Sequence, residues 1–131
     1  MTLVITAVVV AGIMAVFDIL WLGVVAKGFY QSEMGALLRE KAQIVPSVIF
    51  YVLYSVVVAV LVVQPSLVQD EWFEAFVKGA LLGLAAYGAY NLTNLATLKG
   101  FSRRVAVVDL MWGVLVTAAV STITYLIVRN L

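Results

Sequence analysis

The chain has 131 residues, of which 65% are hydrophobic and 11% are charged, and its formal net charge is +1. Charged residues supply about a quarter of an ordinary soluble domain, so this composition is typical of a protein that folds in the lipid bilayer. The sequence has no cysteine and no histidine, which excludes disulfides and nearly every zinc, haem or di-iron site, and we expect no cofactor and no metal. The small net charge argues against a nucleic-acid partner.

Four apolar runs predict membrane spans, because a helix needs about 20 mostly apolar residues to cross the ~30 Å hydrocarbon core. The first run stops at Lys27-Gly28, and the second carries Pro46 in its first turn and stops at Gln64-Pro65. The third ends at Lys99-Gly100, where Gly100 is placed as a helix C-terminal glycine. The predicted spans are approximately 3–26, 44–63, 72–98 and 104–128. The predicted fold class is therefore all-α, a polytopic integral membrane protein whose four-helix bundle forms a single domain over residues 1–131.

The segment between the first two spans is amphipathic. It contains Ser32-Glu33, then the apolar residues Met34, Leu37 and Leu38, and then the charged residues Arg39, Glu40 and Lys41. This pattern predicts a short helix lying along the membrane surface, with an ordinary solvated loop as the alternative.

The distribution of basic residues predicts the orientation of the chain. The loops after spans one and three contain most of them: Lys27, Arg39, Lys41, Lys99, Arg103 and Arg104. The opposite side carries Lys78 and Arg129. By the positive-inside rule the two basic loops face the cytoplasm, so both termini are predicted to lie outside it.

Two carboxylates, Asp18 and Asp109, lie well inside predicted spans, where a charge costs about 2.5 to 3.5 kcal/mol. They occur in two similar segments, Ala15-Val16-Phe17-Asp18-Ile19-Leu20-Trp21 and Ala106-Val107-Val108-Asp109-Leu110-Met111-Trp112. The shared Asp-x-x-Trp pattern places each tryptophan on the same helical face as its carboxylate. At ~1.5 Å per residue, Asp18 lies about 13 Å before Lys27 and Asp109 about 7 Å after Arg104, so both fall in the cytoplasmic half.

The third span adds polar groups at the same depth. They are Tyr87, Tyr90, Asn91, Thr93 and Asn94, of which Tyr87, Asn91 and Asn94 share one helical face. A carboxylate at this depth pairs with a cation, accepts several hydrogen bonds or takes up a proton. Tyrosine and asparagine donors are the expected partners, with Arg103 and Arg104 able to reach down from the interface. The candidate binding cluster is Asp18, Trp21, Tyr87, Tyr90, Asn91, Thr93, Asn94, Asp109 and Trp112.

Two interpretations of this cluster are open at this point. Polar side chains hold membrane helices together, at about 0.6 kcal/mol per contact, and the cluster could serve only that purpose. Alternatively, intramembrane acids mark a functional site. A second motif, Gly79-x-x-x-Gly83, permits close helix approach and fits either packing within the bundle or a homodimer face.

Three stretches of the sequence resemble a bacterial membrane-protein family, catalogued as "domain of unknown function 2177". They are Phe50 to Tyr54, Tyr87 to Lys99 and Val108 to Gly113. The resemblance implies a bacterial inner-membrane location and places Tyr90, Thr93, Asn94, Asp109, Trp112 and Gly113 at the family's motif positions, but it brings no activity. The family's motif usually has Asp at the position where this chain has Asn91, so a mechanism that needs a carboxylate at that position is not expected.

The leading functional hypothesis is a cytoplasm-facing intramembrane site that binds a small solute, a proton or a lipid headgroup, in a transport or binding role. One alternative is a lipid-modifying enzyme that uses Asp18 and Asp109 as general acid and base. Another is a structural or accessory subunit. Membrane lipids are the expected partners, and a homodimer is a further arrangement compatible with so small a chain.

Overall fold

Every element of the computed structural model, which describes residues 2–38 and 43–131, is a helix. Helix α1 spans Thr2–Leu20 and continues into a π turn at Trp21–Val25. Helix α2 spans Lys27–Met34 and is followed by a short 3₁₀ turn at Gly35–Leu37. The all-α class predicted from the sequence is confirmed.

From residue 44 onwards the chain forms an interrupted helix followed by two long helices. Helix α3, Ile44–Val58, runs through a π turn at Ala59–Val63 directly into α4, Gln64–Gln69. Helix α5 spans Trp72–Thr97, and α6 spans Arg103–Arg129. The side chain of Ser102 caps the start of α6 by accepting a 3.1 Å hydrogen bond from the Val105 N–H.

In the part of the chain that the structure describes, three continuous helices are long and apolar enough to cross a membrane: Thr2–Val25, Ile44–Gln69 and Arg103–Arg129. Helix α5 has 26 residues but carries Glu74 and Lys78 in its first turns and does not reach the same apolar character. The fourth span therefore stays a prediction. Large apolar side chains such as Val8 and Leu81 point outward, 64% and 59% exposed, as expected of a surface that contacts lipid.

Two predicted helix ends differ from the structure. The second long helix does not stop at Gln64-Pro65 but continues to Gln69 and ends at Asp70, whose φ of 54° is left-handed. The π turn just before Pro65 has already left the regular hydrogen-bond pattern, so the missing proline N–H does not end the helix. Gly100 has a φ of 80°, but α5 ends earlier, at Thr97, and Gly100 lies in the turn to α6.

Helix α2 folds back against the ends of α5 and α6. Its residues Phe29, Tyr30 and Met34 pack against a small apolar cluster that includes Phe101 and Ala106. Ser102 Oγ also donates a 2.7 Å hydrogen bond to Glu33. The helical start of the predicted interfacial segment is present, whereas its charged end, Arg39 to Lys41, lies outside the described residues.

Helices α5 and α6 approach each other at glycines. A Cβ atom on Gly79 would lie 2.8 Å from both Ser121 Oγ and the Thr117 carbonyl oxygen, and one on Gly83 would overlap the Gly113 carbonyl. Only glycine permits this separation of the two backbones. The Gly-x-x-x-Gly motif therefore faces α6 of the same chain, which is the first of its two interpretations.

The apolar core lies between these helices and α1 and α3. It comprises Val10, Met14, Tyr54, Val58, Val62, Val63, Ala75, Val116, Val120 and Tyr125. The polar cluster lies at one end of this core, beside α2, and an exposed pair, Arg129 and Asp70, lies at the other. The core thus separates two polar regions at opposite ends of the bundle.

Candidate functional site

Asp109 on α6 is held by donors from two other helices. Tyr30 of α2 donates its hydroxyl to Oδ1 at 2.8 Å, and Asn91 of α5 donates Nδ2 to Oδ2 at 2.7 Å. The Trp21 indole N–H in turn donates to the Tyr30 oxygen at 3.1 Å. Among the described residues no Lys or Arg pairs with Asp109, and both of its oxygens receive hydrogen bonds, as burial of a charge requires.

A reversal of the chain brings Tyr30 to Asp109. The π turn closes at Ala26, whose N–H donates to the Trp21 carbonyl at 2.7 Å, and α2 then runs back beneath the bundle. Burial raises the pKa of the Tyr30 phenol above its ordinary value, and the hydrogen bond to Asp109 raises it further, against the opposing Trp21 contact. Tyr30 therefore stays protonated and remains a donor at every physiological pH.

Asp18 on α1 has its own phenol partner. Tyr51 of α3 donates its hydroxyl to Asp18 Oδ2, which joins α1 to α3. One turn further along α3, Tyr54 shares a 2.8 Å hydrogen bond with Thr117 of α6. The phenols of α3 thus satisfy polar groups on both neighbouring helices.

The two Asp-x-x-Trp motifs contact each other through their tryptophan rings. The rings of Trp21 and Trp112 stack with their centroids 4.4 Å apart and their planes 6° from parallel. Phe17 packs at an angle against Trp112, with the ring centroids 6.4 Å apart. The stack forms an aromatic wall beside both carboxylates.

Asp18 and Asp109 line a common cavity of about 150 Å³. Its wall consists of Asp18, Trp21, Leu22, Tyr87, Asp109 and Trp112. The ion pairs of the described chain involve other acids, Glu74 with Lys78 and Asp70 with Arg129. Arg103 and Arg104 are exposed and form no ion pair with either carboxylate, contrary to the expectation that they reach down to them. Within the described residues the cavity is therefore acidic and uncompensated by a cation.

The third-span residues of the predicted cluster take different positions. Asn91 is fully buried, and its Oδ1 accepts no hydrogen bond from the described residues. Tyr87 lines the cavity, whereas Tyr90 is 58% exposed and does not line it. Thr93 is exposed and Asn94 half-buried, and neither lines the common cavity. Thr93 lies about 200° around the helix from Asn91, so the two side chains lie on different faces of α5.

Two residues of the site were absent from the predicted cluster. Tyr51 lies within a predicted span, and its spacing from Ser47 and Tyr54 places all three on one helical stripe. Tyr30 lies outside every predicted span, and no local signal shows that α2 turns back towards Asp109. The spacing could have indicated Tyr51, whereas Tyr30 required the structure.

Apolar helices of spanning length around a buried polar cluster define a multi-pass helical membrane protein. The chain belongs to the family described as "Predicted membrane protein (DUF2177)", whose model matches residues 3–126. This match confirms the resemblance seen in the words around Tyr90 and Asp109. No curated protein and no solved structure matches the chain.

Proposed function

We propose that the protein is a four-span bundle of the bacterial inner membrane with an intramembrane polar site that binds a small solute, a proton or a lipid headgroup, in a transport or binding role. The observation that carries the proposal is the shared cavity, because Asp18 and Asp109 line it from different helices. Every side-chain hydrogen bond to these acids uses them as acceptors. The complementary ligand therefore brings positive charge or hydrogen-bond donors.

Helix packing alone does not account for this arrangement. A charge inside the membrane costs about 2.5 to 3.5 kcal/mol, whereas an interhelical hydrogen bond returns about 0.6 kcal/mol on average. Among the described residues, Asp18 accepts one such bond and Asp109 two. A packing role also requires no open space, yet both acids face a cavity of about 150 Å³. A ligand that neutralises the acids explains both features.

The charge pattern of the loops supports an orientation with the site in the cytoplasmic half and both termini outside. Lys27 follows α1 closely, and Arg103 and Arg104 precede Asp109 by only a few residues. Membrane lipids are the proposed surroundings, and a homodimer with its two-fold axis along the membrane normal is the simplest assembly for a transporter of this size. A reporter enzyme that is active only in the periplasm should be active when fused to the C-terminus. A reporter that is active only in the cytoplasm should be inactive at the same position.

The stacked tryptophans provide a direct test of binding. Of the three tryptophans, Trp21 and Trp112 lie at the site and Trp72 starts α5, so the Trp72→Phe protein reports on the site alone. We would titrate this protein in lipid nanodiscs with ethylamine and, separately, with acid. A saturable change in fluorescence is expected in at least one titration.

Two variants and one control assign the signal. Asp18→Asn and Asp109→Asn should abolish the fluorescence change, because each removes an acceptor of the site. Asp70→Asn is the matched control, since Asp70 is a carboxylate at the opposite end of the bundle and should leave the titration unchanged. Titrations without response, or a response identical in all three variants, would contradict the proposal and favour a purely structural cluster.

A further inference from the structure

A cleft between α3 and α5 leads from the acidic cavity to the surface of the bundle. One part, of about 300 Å³, is lined by Phe50, Ala86, Tyr87, Tyr90 and Asp109. The other, of about 690 Å³, is lined by Asp18, Pro46, Ser47, Phe50, Tyr51 and Tyr90. The two parts share Phe50 and Tyr90, and each includes one of the carboxylates. We call these two adjoining pockets together the α3–α5 cleft.

The cleft exists because α3 and α5 diverge. Helix α5 packs against the π turn at Ala59–Val63, whereas the α3 segment before that turn stays apart from it. At the inner end the rings of Tyr54 and Tyr87 meet edge to face, with centroids 6.4 Å apart. Phe50 and Tyr90, 45% and 58% exposed, form the outer rim. The cleft is thus narrow beside the core and wide towards the start of α3.

Helix α2 covers the carboxylates on one side. Helix α2 lies across the ends of α5 and α6, with Met34 packed against Phe101 and Ala106. Its Tyr30 occupies Oδ1 of Asp109 directly. The α3–α5 cleft gives an open approach to both carboxylates from the lateral surface of the bundle.

We infer that the α3–α5 cleft seats the apolar chain of an amine-headed amphiphile from the bilayer, with its protonated amine between Asp18 and Asp109. Charge complementarity favours this occupant, because both acids point into one cavity and neither is in an ion pair with a described residue. The stacked rings of Trp21 and Trp112 offer π faces to a cation beside the carboxylates. Aromatic and aliphatic side chains dominate the cleft walls, as a hydrocarbon chain requires. The inference rests on the proposed function and narrows its ligand to one chemical class.

The test compares two amines that differ only in chain length. Decylamine and ethylamine carry the same head, and both are titrated against the Trp72→Phe protein in nanodiscs. Ala86→Phe narrows the cleft, while Ala89→Phe, on the exposed surface of α5 and absent from the cleft wall, is the matched control. Because all proteins sit in the same lipid, partition of decylamine into the bilayer cancels in the comparison between variants.

We expect Ala86→Phe to weaken decylamine binding at least tenfold, to change ethylamine binding less than twofold, and Ala89→Phe to change neither. Decyl sulfate, with the same chain and an anionic head, should not bind. Ethylamine binding that depends on both acids, combined with decylamine binding unaffected by Ala86→Phe, would overturn the inference and leave the proposed function intact. Equal binding of decyl sulfate would also overturn it. No response to ethylamine, acid or decylamine would overturn both.

Discussion

Replacement of Tyr30 by phenylalanine should loosen α2 from the rest of the bundle without changing its packing volume. The substitution removes the hydroxyl that donates to Asp109 at 2.8 Å and accepts from the Trp21 indole at 3.1 Å. The ring itself, packed against the apolar cluster that includes Phe101, stays in place. The change therefore isolates the polar contribution of one residue to the docking of α2.

The magnitude follows from these two hydrogen bonds. A hydrogen bond to a charged group contributes about 1.5 to 3 kcal/mol when fully buried, and Tyr30 is only half-buried. We therefore expect a loss of about 1 to 2 kcal/mol, which corresponds to an increase of about 5- to 30-fold in the population of the undocked state. The helices of the core should not be affected, because Tyr30 makes no contribution to that cluster.

Cysteine labelling measures this population directly, since the chain contains no cysteine of its own. Ala106 is 2% exposed in the apolar cluster beside α2, and Ala106→Cys should react with a maleimide only when α2 opens. Gln31→Ala, on the exposed side of α2, is the control for the helix itself, and Val120→Cys monitors global unfolding. A labelling rate unchanged by Tyr30→Phe, or raised equally by Gln31→Ala, would refute the assignment of Tyr30 as the residue that holds α2.

Three further predictions follow from the fold. Gly83→Ala should lower the free energy of unfolding by about 1 to 3 kcal/mol, because the new Cβ would overlap α6. Gly88→Ala should keep or raise the free energy of unfolding, because its Cβ would meet only a leucine methyl group at 3.6 Å. Detergent-induced unfolding followed by circular dichroism compares the two variants. Asp70→Asn should cost less than about 1 kcal/mol in the same assay, because its ion pair is exposed. Finally, the raised pKa of Tyr30 means that the docked state of α2 binds more protons than the open state at high pH, so α2 should undock as the pH rises above about 10. A spin label at Ser32 should become more mobile above that pH. Tyr30→Phe should remove this pH dependence of the label's mobility.

Hydrophobic run length was enough to predict the helical fold of this protein, because the bilayer imposes a minimum length on each spanning helix. The starts of α3 and α6 were predicted to within about one residue. Proline was a poor indicator of a helix end, because the π turn at Ala59–Val63 carries the helix past Pro65. The structure thus overrides a local signal wherever the backbone departs from regular α geometry.

The candidate site was predictable in part. A carboxylate in an apolar run is conspicuous, so Asp18 and Asp109 could be identified from residue type alone, and helical spacing linked them to their tryptophans. Their hydrogen-bond partners were harder to identify. The link from Tyr30 to Asp109 joins residues that are 79 positions apart, and it depends on the direction in which the chain turns at Ala26. No pattern local to either residue encodes that direction.

The two carboxylates of the site belong to different pairs of helices, and the α5–α6 pair is held together by a glycine contact. The backbones of α5 and α6 meet at Gly83 and Gly113, and this closely packed pair carries Asp109 with its partner Asn91. Helices α1 and α3 carry Asp18 with its partner Tyr51. A shift of one pair of helices against the other would leave Asn91 on Asp109 and Tyr51 on Asp18. It would change the contacts that cross between the pairs, namely the Trp21–Trp112 stack and the Tyr54–Thr117 hydrogen bond. The Trp21–Trp112 stack therefore registers any change in the separation of α1 from α6 at the level of the carboxylates.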